Sequence, residues 1–401
     1  MSRLLRRFRA AIAAVAGIAG IATTLLCAYT HAAPSAVPPA PTPTKPSAIT
    51  TGRPEPVPIV FVYRDSVADS AWTLSHELAR KAVEAEFGTR VSTIAVERVA
   101  TASDADRVFR DLVTRGYKVI FATDPVHNDA AAKVAAADYD IKIEQAVSGQ
   151  TLINTRVYEI RHFEQAYLAG IIAAGNSRSG KLGFIAAYAS PATLAEINAF
   201  ALGAQSVNKR ISTQVVWVGS RSNPGADSTA AKTLINRGAD VLIATTDSRA
   251  VAQVTERHRK RKIGLIGWHA DQSALAPRAH IASLALDWAP FYKAAVRESF
   301  AYMCTKTDTS RGYRDGAIKI VGLSKALSRV AKARLESVQT QLGRGEFQVF
   351  KGPLRSNSNT EMLADKTVAD AAWRKSMNVL VRGVVVVASA NAHSGGSRGR
   401  D

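Results

Sequence analysis

Cysteine is almost missing from this chain: 401 residues contain two, Cys27 and Cys304. Cys27 lies in an N-terminal apolar run, so a chain processed there keeps one thiol and cannot form an internal disulfide. Cys304 follows the apolar helical stretch Phe300-Ala-Tyr-Met303 and reads as a small buried hydrophobe. Catalytic signatures are equally scarce. There is no Gly-x-Ser-x-Gly elbow and no His-Glu-x-x-His zinc helix. Gly-x-Gly-x-x-Gly is absent after the first strand, which argues against a dinucleotide cofactor. The eight histidines are scattered, and the pair His127 and Asp129 supplies two donors where a metal site needs more. Gly175-Asn-Ser-Arg-Ser-Gly-Lys-Leu182 fits the first seven positions of a phosphate-binding loop. It lacks the Ser or Thr that holds the metal and stands before a strand instead of after one. No catalytic residue, metal or cofactor is expected.

Acidic residues are also short, 33 against 52 basic ones, for a net charge of +19. The densest cluster, Arg257-His-Arg-Lys-Arg-Lys262, falls at a predicted helix end, where cations complement the macrodipole. Anionic headgroups are a second reading. No aromatics interleave with the cluster, so no single-strand nucleic-acid track is present and no nucleic-acid partner is expected.

What is there begins with an address. Arg3, Arg6, Arg7 and Arg9 precede an Ala-rich apolar run, and Thr30-His31-Ala32 offers small residues for cleavage, the layout of a secretory signal over residues 1–32. An uncleaved anchor and a lipidated Cys27, with a bulky Leu26 before it, are the competing readings. All three export the chain. Nine of the 15 prolines fall in residues 34–58, so 33–57 reads as an extended tether. The remainder is long enough for two lobes.

Those lobes announce themselves by repetition. Leu112-Val-Thr-Arg-Gly116-Tyr-Lys-Val-Ile-Phe-Ala-Thr-Asp124 recurs as Leu234-Ile-Asn-Arg-Gly238-Ala-Asp-Val-Leu-Ile-Ala-Thr-Thr-Asp247. Each copy reads as a helix end, a Gly stop, a buried strand and an Asp at its carboxyl end. Ligands of open α/β sheets bind outside the carboxyl ends of the strands. Two such halves face to face put Asp124 and Asp247 on opposite walls of one cleft. Strands and helices alternate from Pro58 to Leu286, which implies parallel sheets covered by helices, an α/β fold with two doubly wound lobes. Later elements are a helix at Phe291–Met303, a strand near Ile318–Val321, a helix at Leu327–Leu342 and a strand at Phe347–Phe350. They are too few for a third domain and are expected to complete the lobes, making a hinge of several crossovers. The expected division is 58–161 with 285–312 for the first lobe, 162–284 with 313–355 for the second, an extension over 356–387, and a disordered tail over 388–401.

Recognition chemistry clusters at the strand ends. A small-residue loop delivers Trp72 and Thr73 at a helix start, where an indole can stack on a flat ligand, or can pack against its own lobe. Asp124 and His127 follow the third strand, and Ser222 and Asn223 follow strand Thr213–Val218. Asp247 closes the repeat, and Trp268, His269 and Asp271 follow Gly267. Carboxylates accept hydrogen bonds from hydroxyls and ring N–H groups. Each can instead cap the next helix, Asp247 before Ser248 above all.

These residues carry a resemblance. Ser70-Ala-Trp72-Thr-Leu-Ser-His-Glu-Leu-Ala-Arg-Lys-Ala-Val83 resembles the opening of the basic membrane protein family of ABC-transporter substrate-binding proteins. So do Arg161-His-Phe-Glu164-Gln-Ala-Tyr-Leu-Ala-Gly170, Ile197-Asn-Ala-Phe200, Val216-Trp-Val218, Asn223-Pro-Gly225, Thr246-Asp-Ser248 and Asp287-Trp-Ala-Pro-Phe-Tyr292. Phe347-Gln-Val-Phe350-Lys-Gly-Pro353 is similar to its closing strand and turn. The resemblance runs from about Pro58 to Pro353, and more loosely to about Val385. It implies a periplasmic-binding-protein type I fold, a monomer, a permease partner, and a purine nucleoside or nucleobase as ligand. Carried over, Trp72 stacks the base beside Thr73, Asp124 or His127 approaches it, and Asp247 meets ribose or the base edge. The departures are specific. Relatives show Trp-Phe-Asp-Pro-Gly where this chain has Arg221-Ser222-Asn223-Pro-Gly, so the opposing aromatic is missing. His269 stands where relatives carry an acidic residue. The resemblance leaves two alternatives open, a receptor feeding a membrane sensor and a different small polar ligand.

Overall fold

Local chemistry writes the same turn into both repeats, and the two turns agree to the hydrogen bond. The computed structural model describes residues 55–301 and 309–387. The expected signal peptide, nearly all of the tether, Cys27, Cys304 and the tail lie outside them. In the first copy Gly116 adopts φ 83° and the Tyr117 N–H donates to Leu112 O at 3.1 Å. In the second, Gly238 adopts φ 90° and the Ala239 N–H donates to Leu234 O at 3.0 Å. This six-to-one closure ends a helix where a left-handed residue is needed, which glycine supplies without a Cβ clash.

The first half runs β1 (Val57–Val62), α1 (Ala71–Phe87), β2 (Val91–Val96), α2 (Ala102–Thr114), β3 (Val119–Ala122), α3 (Asn128–Ala137), β4 (Lys142–Ala146) and β5 (Thr155–Ile160). The second follows with α4 (His162–Asn176), β6 (Lys181–Ala186), α5 (Pro191–Gln205), β7 (Ser212–Trp217), α6 (Pro224–Asn236), β8 (Val241–Ala244), α7 (Ala250–Arg257), β9 (Gly264–His269) and β10 (His280–Leu286). Late elements are α8 (Ala289–Phe300), β11 (Thr309–Arg311), β12 (Ile318–Val321), α9 (Arg329–Arg344), β13 (Leu354–Arg355), β14 (Glu361–Leu363), α10 (Ala371–Lys375) and β15 (Val384–Val386).

One sheet has the order β11-β5-β4-β3-β1-β2, the other β12-β10-β9-β8-β6-β7-β15. All pairings within them are parallel except β10 with β12. Strands covered on both faces are continuously apolar, as β3 (VIFA) is. The chain passes between the sheets three times: after β5, after β10 and after β11. The crossings are tied together. Arg161 N–H donates to Arg311 O (2.7 Å), Asp287 N–H to Ala317 O (2.9 Å), and Tyr313 N–H to Glu164 Oε2 (2.8 Å).

The fold departs from expectation at Phe347–Phe350, which is not a strand. Its aromatics serve packing instead: Phe347 meets Tyr167 at 5.0 Å, and Phe350 meets Phe163 at 5.8 Å and Trp373 at 5.7 Å between ring centroids. After an isolated bridge of Lys351 with Val368, strand pairing begins at Leu354, against Leu363. The segment beyond returns to the second sheet, where β15 pairs with β7. Asn198 of α5 fastens it, donating to Val379 O (2.9 Å) and accepting from Val381 N–H (2.8 Å).

Candidate functional site

The first helix presents its functional face by simple periodicity. Ser70 caps α1, its Oγ accepting from Thr73 N–H at 3.1 Å. Trp72 and His76 then stand one turn apart on one face. The Trp72 indole N–H donates to Thr123 O at 2.9 Å, fixing the ring against β3's end. Around it gather side chains from both halves. His76 lies 4.7 Å away, His162 6.0 Å, His269 5.1 Å and Trp288 5.5 Å, mostly edge-on. Trp268 reaches the group through His162 at 6.2 Å.

Three rings of this group are imidazoles held neutral. His76 and His269 are lowered well below the usual histidine value, first by burial and then by His162; for His269, Arg221 and His76 add to this. His162 is lowered by burial as well. Like-charged neighbours and low polarity both disfavour the imidazolium. His269 also carries a φ of 67° at the end of β9, a conformation few non-glycine residues adopt. His76 Nδ1 contacts Tyr292 Oη at 2.5 Å, which contacts Tyr158 Oη at 2.9 Å. Either hydroxyl can donate in this relay, so the imidazole proton can stand on Nδ1 or on Nε2. Among the described residues, the buried side-chain atoms without a hydrogen-bond partner include four at this junction: His76 Nε2, Thr73 Oγ1, Trp268 Nε1 and Asp124 Oδ2. Atoms left unpaired in this way are free to bond a ligand or a water.

Beside the aromatic group, the two repeat carboxylates meet one cation. Arg221 Nη1 lies 3.0 Å from Asp124 Oδ2 and its Nη2 lies 3.7 Å from Asp247 Oδ2. Asp124 Oδ1 accepts from Val126 N–H (3.0 Å), and Asp247 Oδ1 accepts from the Ser70 hydroxyl (3.4 Å). Burial pushes the Asp247 carboxyl up to about 7 against the pull of Arg221. Burial would lower Arg221, but Asp124 and Asp247 outweigh it and hold the guanidinium above its usual value. A cavity of about 580 Å³ opens alongside, lined by Arg64, Asp65, Ser66 and Asp69 from one half and by Ser222, Asp247 and Arg249 from the other.

The structure thus brings Trp72, Thr73, Asp124, Asp247, Trp268 and His269 to one junction, with Ser222 at the cavity's edge. Asp247 is not the cap of α7: Ser248 Oγ accepts from Ala250 N–H at 3.4 Å and donates to Asp227. The other three residues lie elsewhere. His127 turns into the first half's core, with Nε2 on Val99 O (3.0 Å) and its ring near Phe109 (6.1 Å). Asn223 is exposed and caps α6. Asp271 is exposed and holds its own loop through Ser273 N–H. The phosphate-loop look-alike is also explained. Arg178 and Ser179 N–H groups donate to the Asp240 carboxylate at 2.7 and 2.8 Å, so the chain supplies its own anion.

Sequence reasoning missed Ser70, His76, His162 and Arg221. His76 was legible one turn after Trp72, and Arg221 as a cation at a strand end.

Two α/β halves whose strand ends converge on one junction, linked by three crossings, form a periplasmic-binding-protein-like solute receptor fold. A solute-binding protein of an ABC transporter system from Conexibacter woesei shares it, with a TM-score of 0.62 at 18% identity over 73% of this chain and 98% of that one. The chain belongs to the family described as ABC transporter substrate-binding protein PnrA-like, which it matches over residues 57–346. A purine-binding protein of Brucella abortus is 32% identical over 330 residues, 82% of this chain and 93% of that protein. A putative ABC transporter glucose-binding protein of Haloferax volcanii is 28% identical over 310 residues, 77% and 78% of the two. Membership implies a small-molecule ligand, a permease partner and an extracytoplasmic location. No helix among the described residues is long and apolar enough to cross a membrane.

Proposed function

We propose that this chain captures a planar purine ligand, base or nucleoside, at the junction of its halves and delivers it to an ABC importer. The observation that carries this reading is the set of orphaned polar atoms, Thr73 Oγ1, His76 Nε2 and Trp268 Nε1, set among indole and neutral imidazole rings. Flat rings favour a flat heterocycle, and an indole N–H, a hydroxyl and an imidazole nitrogen suit its ring nitrogens and amino groups. The purine-binding relative from Brucella points the same way. In this reading the lobes are 58–161 with 285–312 and 162–284 with 313–355, closing about the three crossings. The closed form, with Asp124, Arg221, Asp247 and Ser70 linked across the junction, is what the permease meets. The protein works as an exported monomer.

The test is a thermal-shift screen of residues 57–401 against nucleobases, nucleosides and glucose. Ligand at about 100 times its dissociation constant adds roughly 2.7 kcal/mol, a rise of several degrees. A rise with a purine that His76→Ala abolishes is expected. A folded protein that stays silent with every purine, or responds to glucose alone, refutes the reading.

A further inference from the structure

The cations of the second half collect at one pole, the edge of its sheet remote from the junction. In the order β10-β9-β8-β6-β7, each strand begins beside exposed basic residues: Arg278, the turn Lys260-Arg-Lys262, Arg237, Lys181 and Arg210. Neighbouring strands lie about 4.8 Å apart, so the row runs for roughly 19 Å. Lys181 Nζ reaches Arg237 O and Arg261 Nη1 reaches Asn236 Oδ1, both at 3.5 Å, and both acceptors are neutral. The acids beside the row are spent on other donors. Asp240 accepts from the Ser177 hydroxyl and from the Arg178 and Ser179 N–H groups. Glu256 Oε2 accepts from the N–H groups of Arg278 and Ala279. Among the described residues Arg259 alone of this group meets an acid, Glu256 at 3.9 Å. The same edge of the first half is built otherwise: Lys118 pairs with Asp138 at 2.9 Å and Arg115 with Asp111 at 3.4 Å.

A late element adds to the pole. Ser324 N–H donates to Ile281 O (2.7 Å) and Ser328 N–H to Gly175 O (3.2 Å), which brings the start of α9 to the same end of the sheet. It carries Lys325, Arg329 and Lys332, all exposed, with exposed Leu323 and Val330 among them. Cations complement the dipole where α7 closes, but in the first turn of α9, which has no acid, they oppose it. Helix stability therefore does not account for Arg329 and Lys332. Apolar side chains exposed among unpaired cations have the composition of a surface that meets lipid headgroups.

We infer that this pole of the second half rests on an anionic lipid surface, its cations facing headgroup phosphates and Leu323 and Val330 dipping between them. The family places the chain outside the cytoplasm with a membrane permease as partner, where a bilayer is the polyanion at hand and nucleic acid is not. A broad row of long, exposed side chains suits a diffuse field of charge better than one small anion. The junction lies at the opposite ends of the same strands, so a bilayer at the pole leaves the ligand's route open. The inference does not depend on which ligand the junction takes.

Residues 54–401 form one compact unit of their own and are the protein to test. They leave out the N-terminal arginines and apolar run, which would bind vesicles by themselves. Cosedimentation is measured with vesicles of phosphatidylcholine alone and of phosphatidylcholine with phosphatidylglycerol. Salt is set at about 0.1 M and about 1 M, between which the screening length falls from about 10 Å to about 3 Å. Each cation at an anionic surface contributes up to about fivefold. Wild type is expected to prefer the anionic vesicles by at least about tenfold at low salt and to lose the preference at high salt. Arg237→Gln, Lys260→Gln and Arg261→Gln together should cut the preference by about tenfold or more. Arg107→Gln, Arg115→Gln and Lys118→Gln remove the same charge from the first half and should leave it within about twofold. All six side chains are exposed, so the fold is kept, and a melt of each variant checks it. No preference for anionic vesicles, a preference that high salt leaves intact, or equal losses in the two triple variants overturns the inference. Retention on heparin without vesicle binding overturns it too, and assigns the pole to an acidic polymer.

Discussion

Gly170→Ala tests whether the packing of α4 on α5 is as close as the structure shows. A Cβ on Gly170 would lie 2.0 Å from Phe200 O and 2.9 Å from Ala204 N, and one on Gly203 would lie 2.1 Å from Tyr167 O. Comfortable contact is about 3.5 Å, so the helices must separate by roughly 1.5 Å. The obstacle is backbone, which no rotamer change can swing aside. Overpacking costs about 1–3 kcal/mol, and this site belongs at the upper end. Better helix propensity returns up to about 1 kcal/mol, leaving a net loss of about 2 kcal/mol. At about 2 °C per kcal/mol, the lower end for large domains, the midpoint falls by about 4 °C in a calorimetric melt. Gly343→Ala in α9 is the control, since nothing lies within 4 Å of its Cβ position. It should match or slightly exceed wild type. If Gly170→Ala melts at or above wild type, the close approach is not why glycine stands there.

Three further outcomes are expected. Arg156 is buried with Glu144 at 2.7 Å and Glu298 at 3.0 Å. Arg156→Ala strands a buried carboxylate and should cost about 3–5 kcal/mol in urea unfolding, a result that a loss under 1 kcal/mol would contradict. Asn198→Ala removes both bonds that fasten residues 379–381. Stability should fall by about 1–3 kcal/mol, with cleavage after the second sheet appearing in limited proteolysis; an unchanged digestion pattern counts against it. The raised Asp247 carboxyl contributes stability that is full below about pH 4 and lost as pH rises through about 7. The midpoint of wild type relative to Asp247→Asn should therefore drop between pH 5 and 8. His76, His162 and His269, all lowered, act oppositely, and their contribution disappears as pH falls below about 6.5. A rising difference between wild type and Asp247→Asn would mean that the Arg221 pair outweighs burial.

The repeat was legible because glycine stops and continuous apolar strands are local chemistry, visible at Gly116 and Gly238 without any knowledge of the partner lobe. Trp72, Asp124 and Asp247 were legible because strand ends are where such sheets place their ligands. His127 misled because proximity to Asp124 in sequence says nothing about which way a three-residue turn points its ring. Phe347–Phe350 misled because alternating aromatics suit a strand and also suit a plug over Tyr167 and Phe163. Arg221 reads in the sequence as a cation at a strand end beside the lost aromatic at Ser222, and no more. Its partners lie about 100 residues away in one direction and 26 in the other, and only folding brings them to one guanidinium.

The three tied crossings carry a consequence for how the molecule can come apart. A body joined to its twin by one peptide swivels freely and is freed by one cut. Joined by three strands in a row, it is held as a door is by several pins, with one axis of rotation and little shear or twist. The joint is also redundant. A single proteolytic nick at any crossing leaves two covalent links and the bonds among Arg161, Arg311, Asp287 and Ala317. Nicked protein should elute as one particle and dissociate only on denaturation, so damage to the joint would go unnoticed in any assay that reads size alone.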